Sequence, residues 1–263
     1  MRKCAVAIPL LALIAGIVGY FLRSYELKTV FEPGMGLATP NAPVTIALIA
    51  LTVLVCAAVV LFAVQVRKKY IAPPSAAQAY AVGSPAALII CAVLGLAAIL
   101  GMILMALHYG FSTLSLFELA FVVFGILSGV SIIISGRAIY QKTVPGNGVC
   151  VLSITPPLFF CIWLIMIYKE HAANPVILHF AYSCLAMAFA ALGSFYAAGF
   201  FFGKFVTVRT VVCHVLAVYF MALLIADKPG ILLTIVAAEM LLHQLLCSFL
   251  FIRNLQPKPV PEK

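Results

Sequence analysis

Eight apolar stretches of about 20 residues follow one another along the chain, each long enough to cross roughly 30 Å of hydrocarbon as a helix. They cover residues 4–22, 44–66, 86–107, 117–135, 149–168, 176–202, 210–226 and 231–251, and the longest connections between them are 23–43 and 67–84. In hydrocarbon each backbone N–H and C=O must be satisfied within the segment, so such a run folds as a helix. Composition points the same way. Hydrophobic residues make up 65% of 263 positions and charged residues 9%, against roughly 45–50% and ~25% in a water-soluble domain. Too few polar side chains exist to cover such a core in water. The expected fold is an all-α, polytopic integral membrane helix bundle. It forms one transmembrane domain over residues 1–252, with a short tail at 253–263.

Several stretches mark their own starts. Ser84-Pro85 and Asn174-Pro175 place a capping side chain ahead of a proline at the first helical position, where the missing N–H costs nothing. Pro43 and Pro229 precede the second and eighth stretches in the same way. Met1-Arg2-Lys3 ahead of the apolar run Cys4 to Leu22 imitates a signal peptide, but the run is too long and lacks a small-x-small cleavage site, so it counts as a span. In the outer connection, Thr29-Val30-Phe31 and Leu37-Ala38-Thr39 have the pattern of a short hairpin.

The formal charge of +9 comes from Lys and Arg scattered between the apolar runs, which excludes a nucleic-acid surface and reads as topology. One side of the membrane takes 12 of the 16: Arg2, Lys3, Arg67, Lys68, Lys69, Arg137, Lys142, Lys204, Arg209, Arg253, Lys258 and Lys263. Arg23, Lys28, Lys169 and Lys228 fall on the other. The positive-rich side faces the cytoplasm, so both termini are expected there, in agreement with an even number of crossings.

Eight cysteines lie within or at the ends of the apolar runs without CxxC spacing, the usage of a small packing residue. No metal, cofactor or catalytic set is expected. Glu239-Met240-Leu241-Leu242-His243 lacks the second histidine of HExxH, and no GxSxG, P-loop or GxGxxG occurs. Gly34-Met35-Gly36 stops short of the last of these.

Four features stand above the membrane background. Ala186, Ala190, Ser194 and Ala198 recur every four residues along the sixth span, a small-residue face that lets helix backbones approach closely. It makes the sixth span the expected centre of the bundle, with an oligomer interface as the alternative use; Gly125 and Gly129 mark the fourth span similarly. Glu239 lies near the middle of the eighth span, and His243, one turn later on the same face, is its expected partner. Gln244 is adjacent and turned partly away. Thr155-Pro156-Pro157 falls inside the fifth span, where the prolines free the carbonyls of Leu152 and Ser153. The span is then either broken there, as transporter helices are at binding sites, or short and beginning at the prolines. His214 lies about one turn inside the seventh span, at the depth of Ser128, Ser131 and Ser135 in the fourth. Glu239, His243, His214 and Thr155, with these serines, are the candidate lining of one inward-facing polar cavity. His108, Glu118, His171, His179 and Tyr182 near the outer surface read as interfacial residues in contact with water.

The stretch Tyr25-Glu26-Leu27 through Phe31-Glu32-Pro33-Gly34-Met35-Gly36-Leu37, with the run from Ile167 to Pro175, resembles uncharacterised multi-pass membrane proteins of anaerobic Gram-positive bacteria. The resemblance implies a bacterial plasma-membrane setting and brings no activity with it. From the residues, the leading expectation is a carrier or permease for a small solute or ion, proton-coupled through Glu239 and His243. A non-catalytic membrane subunit or scaffold is the alternative, using the small-residue face of the sixth span or the basic inner loops against a membrane-protein partner or a second copy. A lipid-modifying intramembrane enzyme ranks last, for want of a nucleophile or metal set.

Overall fold

The computed structural model describes residues 2–31, 39–82, 84–110, 113–142, 146–172 and 176–258, with side chains from residue 6 onward. Eight apolar helical spans are present among them. They are Arg2–Thr29, Pro43–Lys69, Pro85–Tyr109, Leu116–Gln141, Asn147–Leu152 continued by Thr155–His171, Ala181–Gly199 extended by a 3₁₀ turn Phe200–Phe202, Thr207–Ala226 and Ile231–Asn254. The lipid bilayer is therefore the solvent. An even number of crossings places the first and last described residues at one end of the bundle, here called the terminal end.

Most helices run a few residues past their apolar stretches, and the third and fourth spans carry side-chain caps at their starts. Ser84 accepts from the Ala86 N–H with Pro85 behind it, as expected. Ser115 and Glu118 form a full capping box at the start of the fourth span, so Glu118 serves the helix end. The first span continues through Arg23 and Glu26 to Thr29. The sixth starts later than expected, at Ala181. Ile177–His179 is a separate 3₁₀ turn and Phe180 is the cap, while Asn174-Pro175 lies outside the described residues. Of the expected outer hairpin one rung is described, Thr39 N–H to the Val30 carbonyl at 2.9 Å; residues 32–38 lie outside.

The seventh span, not the sixth, is the axis. It is 78% buried, against 22% for the second span, because it is apolar on every side and carries the large core side chains Tyr219, Phe220, Met221 and Leu223. Ala186, Ala190, Ser194 and Ala198 are buried on the sixth span, which packs closely against the seventh. Their small size is what admits so bulky a neighbour, and the face is spent inside the bundle. The third and fourth spans meet backbone to backbone: a Cβ on Gly95 would lie 2.5 Å from the Gly129 carbonyl oxygen, and one on Gly129 2.6 Å from that of Gly95.

At the terminal end the connection after the second span folds back over the bundle. Tyr70–Ile71 pairs antiparallel with Gln256–Pro257. Asn254 donates its side-chain amide to the carbonyls of Ala79 and Ala81 at 3.3 and 3.0 Å, and the Ala72 N–H reaches the Thr207 hydroxyl at 3.0 Å. The start of the expected tail at 253 is thus docked. Between these ties the short helix Ala76–Ala79 delivers Tyr80 into the bundle, buried among Phe200, Phe251 and His214.

Candidate polar cavity and its hydrogen-bond network

A cavity of about 80 Å³ lies in the terminal half of the bundle, among the third to eighth spans and under Tyr80. Its hydrogen-bonding lining includes Tyr80, Ser131, Ser135, Ser194, His214 and His243. The convergence expected of His214, His243, Ser131 and Ser135 is present. Ser128 is buried but returns its hydroxyl to the Phe124 carbonyl, the usual resting place for a helical serine.

Along one wall runs a chain of hydrogen bonds that ties three spans to the connection after the second span. The Gln244 amide nitrogen faces Ser194 Oγ at 3.0 Å and the Ala190 carbonyl at 3.4 Å. A backbone carbonyl only accepts, so this end of the amide is the NH₂ and the other end, Oε1, faces His214 Nδ1 at 2.6 Å. Nδ1 therefore carries the proton and Nε2 is the acceptor, leaving Tyr80 Oη to donate to it at 3.1 Å. Burial holds the Tyr80 hydroxyl well above its ordinary pKa, with Cys247 adding in the same direction, which keeps it a donor. One carbonyl on the sixth span thus sets the tautomer of a histidine on the seventh. Gly193 makes room for the arrangement: a Cβ there would lie 3.1 Å from both Gln244 Oε1 and His214 Nδ1.

Gln244, expected to turn partly away, is the hub. Replacing it with leucine strands the His214 N–H, and is expected to lower stability by about 1–3 kcal/mol. Chemical denaturation in mixed micelles measures this; an unchanged midpoint contradicts a fixed network.

Two candidate residues sit elsewhere. Glu239 does not pair with His243, whose Nε2 turns one helical turn the other way to Cys247 Sγ at 3.6 Å. Glu239 lies one turn, about 6 Å, farther from the terminal end and is not among the cavity-lining residues. It is 4% exposed, and neither carboxylate oxygen has a hydrogen-bond partner among the described residues. Thr155 is also outside the lining, because it is occupied in the helix break. The fifth span is interrupted at Ser153-Ile154, with Pro156 and Pro157 in the first turn of its second segment. The Thr155 hydroxyl caps the freed Leu152 carbonyl at 2.8 Å, and the Ser153 hydroxyl caps that of Cys150 at 2.6 Å. Because the two segments together form one 25-residue span, it is broken and not short. Ser153 and Pro156 line the cavity in place of Thr155.

A second polar centre lies at the opposite end. Arg23, 0% exposed, donates from Nε to Asp227 at 2.8 Å, from Nη1 to Glu26 at 2.6 Å and from Nη2 to the His179 carbonyl at 2.6 Å. Thr45 donates to the other Glu26 oxygen at 2.7 Å, and Ser183 to the other Asp227 oxygen. The rings of Phe31 and Tyr182 flank the guanidinium. The cluster joins the first, second, sixth and seventh spans. Sequence reasoning counted Arg23, Glu26 and Asp227 as loop residues; the available signal was the i,i+3 spacing of Arg23 and Glu26 directly after an apolar run.

His179 stands beside this cluster, just outside the sixth span. Burial lowers its pKa below the ordinary 6.5, and the Arg23 charge and His171 push the same way against Asp227. A lowered folded-state value means that stability is complete above about pH 6.5 and is lost as pH falls through the folded value. The melting temperature is therefore expected to drop between about pH 8 and about pH 5. His179→Phe, which retains a ring against Phe31 but takes no proton, should shrink that drop. An equal drop in both proteins would place the titrating group elsewhere.

No protein-family model, curated protein or solved structure matches this chain.

Proposed function

We propose that the protein is a proton-coupled carrier of a small solute in a bacterial plasma membrane, with both termini in the cytoplasm. The observation that carries this is the cavity itself. It lies within the bundle at the junction of six spans and beside a broken helix, with an ionic cluster drawing four spans together at the far end. A site accessible to one side at a time needs these parts: a solute-sized pocket, a tie that holds one end shut, and a helix interruption that lets one segment move against the other. The break at Ser153-Ile154 and the Arg23 cluster suit the last two roles.

Glu239 suits the coupling role. Its carboxyl is buried within a span and has no donor or counter-charge among the described residues to hold it, and intramembrane ionisable groups of this kind serve ion or proton pathways. A proton is the smallest species that neutralises it. The small-residue face of the sixth span is used within the bundle, which removes the main sequence feature favouring a scaffold.

Counterflow in proteoliposomes over a panel of labelled small solutes, neutral and charged, tests for a carrier. At least one solute should enter faster than in protein-free vesicles. A folded, reconstituted protein that accelerates none of them contradicts it.

A further inference from the structure

We infer that the cavity takes a compact, uncharged solute with one or two hydrogen-bonding groups on a small apolar body, held by Ser131 and Ser135. This deepens the carrier reading and rests on it for the idea that the cavity is a solute site. The two serines lie one turn apart on the fourth span, and both face the cavity. A serine in a lipid-embedded helix ordinarily gives its proton to the carbonyl four residues earlier, as Ser128 does. Ser131 is 2% exposed, and neither its hydroxyl nor that of Ser135 has a hydrogen-bond partner among the described residues. Two hydroxyls left open in an apolar interior point to an occupant that completes them.

The lining also states what the occupant is not. No Asp, Glu, Lys or Arg is among the lining residues. His214, 1% exposed and buried with no acidic side chain in the lining, is neutral, donating to Gln244 and accepting from Tyr80. An ion entering such a space gives up its hydration without meeting a counter-charge. At about 80 Å³ the cavity has the volume of about three waters, which limits the solute to a few heavy atoms. Pro156, Ile132 and Leu250 supply the apolar walls.

Acetamide, acetate and ethylammonium are similar in size and differ in charge. Saturation-transfer NMR on purified protein in detergent should detect acetamide on the wild-type protein and neither ion. With Ser131→Ala/Ser135→Ala, acetamide binding should weaken about tenfold through the loss of two hydrogen bonds. The melting temperature of this variant should hold, because no bond within the protein is removed. Ser135→Ala alone, on the less buried serine, provides a second, smaller step. The inference is overturned by ion binding equal to that of acetamide, by undiminished binding to the double variant, or by no acetamide transfer at all. Acetamide binding without counterflow of any solute would fail the carrier and keep the site. Counterflow of ions alone would do the reverse.

Discussion

Replacing Arg23 with methionine is expected to lower stability by about 3–5 kcal/mol, the cost of leaving buried charges uncompensated. The guanidinium spends its three nitrogens on three acceptors from different parts of the fold: Glu26, Asp227 and the His179 carbonyl. Without it two carboxylates share one low-dielectric pocket with no cation between them, and the first and seventh spans are pushed apart. Arg23→Lys should recover only part of the loss, since an ammonium is a point charge and does not reproduce a planar fork with fixed donor directions. Asp227→Asn should cost less, because Arg23 keeps Glu26. Unfolding of purified protein by SDS in mixed micelles reads all three. Arg23→Met as stable as the wild type would mean that water reaches the cluster and that the far end is not held by it.

Glu239→Gln is expected to abolish uphill transport and to spare downhill exchange. A gradient of about one pH unit is worth about 1.4 kcal/mol per proton, which supports about tenfold accumulation of a neutral solute moved with one proton. Glutamine has the size of the carboxyl and can hydrogen-bond, but it cannot release a proton, so the variant should bring internal and external solute to equality and stop there. Because the Glu239 side chain makes no hydrogen bond among the described residues, the substitution breaks no contact of that kind and the variant should fold. Tenfold accumulation retained by Glu239→Gln would remove Glu239 from the coupling.

The spans were legible because the bilayer imposes length and apolarity on each one separately, and both signals are local. Ser84-Pro85 worked for the same reason. What was lost depends on rotation of one helix against another. Glu239, His243 and Gln244 lie within six positions on one helix, and sequence spacing made Glu239 and His243 partners. In the fold it is Gln244 that faces the sixth and seventh spans, and His243 that leans to the following turn. Arg23 was missed because a charge at the end of an apolar run reads as a topology marker, and its partner Asp227 is 204 residues away. Tyr80 was missed because it comes from a connection whose docking depends on the Tyr70–Ile71 pairing and on Asn254. The four-residue repeat on the sixth span correctly marked a tight interface, but the repeat is the same whether the neighbour is the seventh span or a second molecule. Thr155 was placed in the cavity by depth alone, whereas its hydroxyl serves the break it stands in.

Solute uptake and internal pH recorded together in the same proteoliposomes test the central claim most directly. With acetamide outside and a pH-sensitive dye inside, the wild-type protein should move solute and protons in step under an inward proton gradient, and Glu239→Gln should move solute while the internal pH stays level. A correctly folded wild-type protein that moves neither, or that moves solute with no proton, would contradict a proton-coupled carrier.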